Sequence, residues 1–246
     1  MSIRILRRAE QVDGQFNGGA IMEKRPVVYP NQKTFPYSNL FYWAHAWTDK
    51  GSTIGLHPHQ GFEIMSFVLK GSIEHYDTAN KNWIPLKEGS VQIIRSGNGI
   101  SHAEKMNPGS HIFQIWFDPH MDVSLKKPAT YNDYDPVDFP LEKKNGMMIK
   151  TFKGENGPIE MDAEGVVIKE FKLQKGKHEF PVSPGKVMSA FLLEGNLQVE
   201  NEFLSAEDFF TIQEQDEIQI DAIENSWLFI IESPLKPSYK TYASAN

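Results

Sequence analysis

Apolar positions along this chain come in short runs, continuous or alternating with polar residues, and each run ends at Gly, Pro, Asn or Asp. Residues 64–69, 90–94, 111–117, 166–173 and 227–231 are the clearest of them. Short runs rich in Val, Ile and Phe and bounded by turn formers predict strands. Helical periodicity is scarce, and residues 9–16 fit at most a turn or two. Asn80-Lys81-Asn82 separates a run ending near Tyr76 from one opening at Trp83, which predicts a hairpin. The pattern therefore predicts an all-β protein with little helix.

A faint repeat runs through the pattern. Phe67-Val68-Leu69-Lys70-Gly71-Ser72-Ile73 parallels Phe191-Leu192-Leu193-Glu194-Gly195-Asn196-Leu197. Each block is followed by another, 86–94 in the first half and 204–212 in the second. A unit longer than one hundred residues implies duplicated domains and not a solenoid. The full length of 246 residues suits two small domains. Residues 126–146, rich in Pro, Asp and Tyr, predict the connection between them, so the expected domains are 1–130 and 131–246.

Composition narrows the chemistry. The 25 basic and 32 acidic residues give a net charge of −7, which argues against a nucleic-acid-binding surface. There is no apolar run long enough to cross a membrane and no signal-peptide core after Met1, so a soluble, cytoplasmic protein is expected. With no cysteine, thiolate metal sites, disulfides and cysteine nucleophiles are excluded. Any metal must be held by imidazole or oxygen donors.

Two clusters supply such donors. The first is Gly55-Leu56-His57-Pro58-His59-Gln60-Gly61-Phe62-Glu63, the second Ser96-Gly97-Asn98-Gly99-Ile100-Ser101-His102-Ala103-Glu104. Side chains two apart on a strand share a face. His57 and His59 therefore point one way, as do His102 and Glu104. If both strands line one barrel, three imidazoles and a carboxylate converge, a set suited to Fe(II), Mn(II), Ni(II), Cu(II) or Zn(II).

The sequences HPHQGFE and SGNGISHAE, with GSIEHYDT between them and FQIWF after, resemble the motifs of pirin and pirin-like proteins of the cupin superfamily, over about residues 35–120. The resemblance implies a bicupin, two tandem double-stranded β-helix (jelly-roll) barrels with one mononuclear metal in the amino-terminal barrel. It carries the ligand roles onto His57, His59, His102 and Glu104. Iron as Fe(II) is the expected metal, with Mn, Ni, Cu, Co and Zn as the other candidates. It moves Glu63 from ligand to a supporting position behind the ligands, where His75 and Gln60 are also candidates. Gln60 stands where pirins commonly have Arg. Counting from the repeat places Pro181, Ser183, Ile220 and Ala222 at the four ligand positions of the second half, where His178 is the lone histidine. That barrel is expected to be degenerate and metal-free.

The resemblance further implies quercetin 2,3-dioxygenase-type chemistry, in which a flavonol-like small molecule and dioxygen meet at the metal and Glu104 accepts the substrate's proton. Phe41, Trp43, Phe62 and Phe113 are candidates for the aromatic wall of such a site, and Gln92 and Gln114 for its polar lining. The competing reading is a redox-sensing iron protein that binds a transcription factor without turnover. The acidic charge and the absence of the family's Gly-Pro-Phe segment and helical tail weaken it. His45, His111 and His120 have no paired ligand in sequence and read as structural.

Overall fold

The computed structural model describes residues 2–29 and 35–242. Strand accounts for about 58% of the described residues and helix for 6%, which bears out the all-β expectation. The predicted runs 64–69, 111–117 and 227–231 fall within strands Glu63–Lys70, His111–Phe117 and Ser226–Pro234, and 90–94 and 166–173 begin one residue before strands Val91–Arg95 and Val167–Leu173. The hairpin turn expected at 80–82 lies between strands Ser72–Asp77 and Trp83–Lys87. Residues 9–16 hold a single turn, Arg8–Glu10, and then the strand Val12–Phe16.

Two compact units form. The first comprises residues 12–138 with 161–163 and 239–242; the second comprises 2–11, 139–160 and 164–238. The strand Thr130–Tyr134, across which the expected boundary falls, pairs with Val91–Arg95 and completes the first unit. Polar, turn-rich sequence at 126–146 reads as a linker because an edge strand half open to water carries few apolar residues.

In the first unit, a seven-stranded antiparallel sheet runs in the order Thr130–Tyr134, Val91–Arg95, Glu63–Lys70, His111–Phe117, Leu40–Trp47, Ile21–Val27, Val12–Phe16. A four-stranded sheet runs Ser52–His59, Ile100–Met106, Ser72–Asp77, Trp83–Lys87. The second unit repeats this order strand for strand. Its larger sheet runs Ser2–Leu6, Phe209–Gln213, Lys186–Glu194, Ser226–Pro234, Val167–Leu173, Met147–Lys153, Leu141–Lys144, and its smaller one Gly176–Pro181, Glu217–Ala222, Asn196–Val199, Glu202–Ser205. The position that Thr130–Tyr134 holds in the first barrel is held in the second by Ser2–Leu6, from the other end of the chain.

The interior of the first barrel is layered. At one end Ile64, Ile94 and Ile100 pack with Phe62, Trp116 and Tyr131. At the other end Val68, Ile73, Leu86, Met106 and Ile112 form an apolar floor with Ile21 and Ala46. Between them lies a polar layer. Gln114, Ser66, Gln92 and Asp133 are register partners across four neighbouring strands, opposite a face that carries His57, His102 and Asp77 in one row and Glu104 and His75 in the next. The second barrel has no such layer at the matching positions. Aligning Gly71 with Gly195 and Leu86 with Leu204 puts Phe180, Val182, Ile218 and Ile220 where the first barrel has His57, His59, His102 and Glu104. All four are buried in one apolar core. This corrects the positions expected from counting. The turn before Glu217–Ala222 is two residues shorter than the one before Ile100–Met106, and the stretch before Gly195 is one residue longer than that before Gly71. Among the described residues, no helix is long and apolar enough to cross a membrane.

Candidate metal centre

His57 and His59 sit at the end of the strand Ser52–His59, and His102 and Glu104 on its neighbour Ile100–Met106. His57 is the register partner of His102, but Glu104 pairs with Ile54, so Gly55 and Leu56 together face Ala103. This bulge bends the strand and re-aims the side chains that follow it. The freed Gly55 carbonyl accepts a hydrogen bond from His57 Nδ1 at 2.7 Å. A carbonyl only accepts, so the proton is on Nδ1 and the Nε2 lone pair is available.

The three imidazoles converge. One ring nitrogen from each of His57, His59 and His102 lies within 4.8 Å of the others. Ring centroids are 4.7 Å apart for His57 and His59, 4.5 Å for His57 and His102, and 4.8 Å for His59 and His102. Glu104 lies outside that group of mutually close donors. Its Oε1 accepts from Ser66 Oγ at 2.7 Å and from Gln114 Nε2 at 3.2 Å, and its Oε2 from Gln114 Nε2 at 3.0 Å.

The electrostatics prepare these groups as donors. Burial lowers the His59 pKa to about 3, reinforced by the neighbouring His102 and His57. Burial likewise lowers His102 to about 4, against the pull of Glu104. Burial alone would raise the Glu104 carboxyl, but His102 and the hydrogen bonds from Ser66 and Gln114 outweigh it and hold the group below its ordinary value. At neutral pH His59 and His102 are therefore neutral beside an ionised Glu104, the protonation states a metal requires of its ligands.

The residues fit a metal ion on a further observation. His59 Nε2 and both ring nitrogens of His102 are buried without a hydrogen-bond partner among the described residues. Buried polar atoms are normally paired, because stranding one costs free energy. The stranded nitrogens of His59 and His102, converging with the free Nε2 of His57, meet that requirement by coordinating a cation.

The other expected residues are dispersed. Glu63 is buried, and its Oε1 and Oε2 accept the backbone N–H groups of Asp162 and Ala163 at 2.7 and 2.8 Å, so it anchors a distant segment instead of backing a histidine. The exposed Gln60 donates to the Asn98 carbonyl at 3.2 Å. His75 is buried beside His102, with ring centroids 5.4 Å apart. Phe113 and Trp43 pack on each other, centroids 5.4 Å apart, whereas Phe41 and Phe62 join Trp116 near the histidines. Trp116 meets His59 edge-on at 4.8 Å. Ser66 and Trp116 went unremarked in the sequence. Ser66 was detectable as the one polar residue within the run Ile64–Met65–Ser66–Phe67–Val68. His45 and His111 approach each other, Nδ1 of His111 lying 3.3 Å from Nε2 of His45.

Two barrels of one topology, with converging histidines among the described residues of the first alone, have the arrangement of a bicupin. Residues 22–117 match the family model described as Pirin. The chain is 24% identical over 191 residues to the quercetin 2,3-dioxygenase of Escherichia coli strain K12, covering 76% of this chain and 78% of that one. Its fold is similar to that of the bacterial pirin YhhW of Escherichia coli in complex with nickel(II), with a TM-score of 0.79 at 21% identity, covering 95% of this chain and 99% of that one. It is also similar to a quercetin 2,3-dioxygenase of Acinetobacter baumannii, with a TM-score of 0.81 at 20% identity, covering 97% and 80%. The family match over residues 22–117 and these likenesses are all consistent with a pirin-like cupin protein.

Proposed function

We propose that this protein binds one divalent metal, Fe(II) in the cell, through His57, His59 and His102 with Glu104 beside them as the proton acceptor, and that it opens the ring of a flavonol-like substrate with dioxygen as a quercetin 2,3-dioxygenase does. The observation that carries the reading is the set of buried, unpartnered nitrogens on His59 and His102 beside a carboxylate that is held ionised. A bound divalent ion supplies Lewis acidity toward a substrate oxygen and a meeting point for substrate and dioxygen. Three imidazole donors would leave open positions on such an ion for both.

The chain's own groups do the rest. Glu104 Oε1 is occupied by two donors and Oε2 by one, so one lone pair remains, on Oε2; it takes the proton from the substrate hydroxyl while the three imidazoles hold the ion. Ser66 and Gln114 fix that carboxylate, which keeps the accepting atom in place. Trp116, Phe62 and Phe41 give the histidines an aromatic flank, and flat polyphenols stack on such surfaces. Ile64, Ile94 and Ile100 keep the same end of the barrel dry.

Purified protein loaded with Fe(II) is expected to consume dioxygen when quercetin is added, and His59→Ala to lose both metal and oxygen uptake. Oxygen uptake that survives in His59→Ala, or wild-type protein that takes up no divalent metal in elemental analysis, removes the reading.

A further inference from the structure

The first barrel buries two more ionisable groups that the reading above does not use. His75 and Asp77 are both 0% exposed, on the strand Ser72–Asp77. By register His75 stands beside Glu104 and Asp77 beside His102. Asp77 Oδ1 accepts the backbone N–H groups of Ala79 and Asn80 at 2.8 and 2.7 Å, and Oδ2 lies 3.2 Å from His75 Nε2. With Oδ1 accepting two backbone N–H groups, Oδ2 is the acceptor that faces His75 Nε2. His75 therefore carries its proton on Nε2 and keeps a bare lone pair on Nδ1.

That lone pair is buried and has no partner among the described residues. The surroundings offer it little. Its ring lies 5.4 Å from that of His102 and 6.3 Å from that of Tyr131. Asp133 and Glu104, the nearby carboxylates, accept hydrogen bonds from Gln92 and from Ser66 and Gln114. An acceptor placed in the same layer as the metal ligands, held in one tautomer and left without a donor, suits a donor that arrives with a ligand.

We propose that His75, oriented by Asp77, accepts a hydrogen bond from a second hydroxyl of the substrate, and so selects polyhydroxylated aromatics over those with a single hydroxyl or with alkylated oxygens. His75 is a specificity-determining residue in this scheme and Asp77 its positioning residue. The inference rests on the flavonol reading above, and its test separates the two.

The full-length chain loaded with Ni(II) is titrated calorimetrically with quercetin and with 3-hydroxyflavone, which keeps only the enolic hydroxyl. Wild type is expected to prefer quercetin by about tenfold, the weight of one buried hydrogen bond. His75→Leu should erase that preference while keeping Ni(II) stoichiometry and 3-hydroxyflavone affinity, and His75→Gln, whose side-chain oxygen can accept, should restore part of it. Asp77→Asn keeps an oxygen for the Ala79 and Asn80 amides but turns an N–H toward His75. It should move the imidazole proton to Nδ1 and abolish the preference in a folded protein. A preference that survives in His75→Leu and Asp77→Asn overturns the inference, as does loss of Ni(II) from either. If wild type binds neither flavonol, the flavonol reading fails, and catechol and its dimethyl ether replace them as probes. Preference for catechol that disappears in His75→Leu then upholds His75 as the hydroxyl acceptor, and equal affinity in wild type overturns it.

Discussion

Buried charge in the first barrel divides into groups that meet a ligand and groups that hold the chain. Glu63 belongs to the second kind. Burial raises its carboxyl pKa against the pull of the Asp162 and Ala163 amides, yet both oxygens are committed to those N–H groups. Glu63→Gln replaces one acceptor with a donor that faces an N–H, and is expected to cost about 1–3 kcal/mol. Faster hydrogen exchange at the Asp162 and Ala163 amides, with metal uptake unchanged, is the corresponding readout. The histidines give a pH signature of the opposite kind. His59 and His102 are lowered to about 3 and about 4 from the usual 6.5. Between pH 6.5 and those values the unfolded chain binds protons that the folded chain refuses, so stability falls as acid is added. Melting temperatures of the metal-free protein should therefore drop from pH 6.5 toward pH 4, and the drop should be shallower in a His59→Leu/His102→Leu double variant. Equal slopes in the two proteins would show that these imidazoles are not buried as neutral groups.

Strand alternation made the candidate site residues legible, since His57 with His59 and His102 with Glu104 follow from a period of two alone. It gave these candidates without their support. Ser66 and Gln114 reach Glu104 from the opposite sheet, a relation set by the register between strands and by nothing local to either residue. The bulge at Gly55 and Leu56 is likewise a property of the strand pair. Turns were better marked. Gly71 and Gly195 end equivalent strands at φ +73° and +91°, a backbone region that favours glycine. A Cβ at Gly71 would lie 2.7 Å from Ser110 Oγ and 3.1 Å from Ser110 Cα, and one at Gly195 would lie 2.8 Å from the Asn225 carbonyl oxygen. Ser110 Oγ cannot retreat freely, because it accepts the Ser72 N–H at 3.1 Å and donates to the Ser72 carbonyl at 2.7 Å. Alanine at either position is expected to cost about 1–2 kcal/mol for the left-handed backbone, plus the contact. Gly71→Ala should also weaken metal binding, since Ser72–Asp77 pairs directly with the strand of His102 and Glu104, whereas Gly195→Ala should leave it intact. Denaturant melts and metal titration of the two variants separate these effects.

At the scale of the whole molecule, the duplication seen faintly in 67–73 and 191–197 extends to every strand of both barrels. Counting residues from the repeat misplaced the second set of ligand positions because insertions and deletions accumulate in turns, and only the pairing restores the register. The least legible element is Ser2–Leu6. Its sequence, Ser-Ile-Arg-Ile-Leu, alternates as a strand should, but nothing local shows that its partner is Phe209–Gln213. Ile3 and Ile5 pack against the second core and Leu6 is buried, so the strand contributes apolar burial as well as hydrogen bonds. Full burial of one such side chain is worth about 1.5–3 kcal/mol. Deleting residues 2–6 would remove that burial and leave Phe209–Gln213 as an unpaired edge, the kind that invites association with other chains. The deletion should lower the melting temperature, strip exchange protection from Phe209–Gln213 and promote aggregation. The metal candidates all lie in the first unit, which lacks this strand, so metal stoichiometry per folded chain should be unchanged. Protection that persists in Phe209–Gln213 would mean that the second barrel closes without its amino-terminal strand, and that the correspondence between Ser2–Leu6 and Thr130–Tyr134 is one of shape without energetic weight.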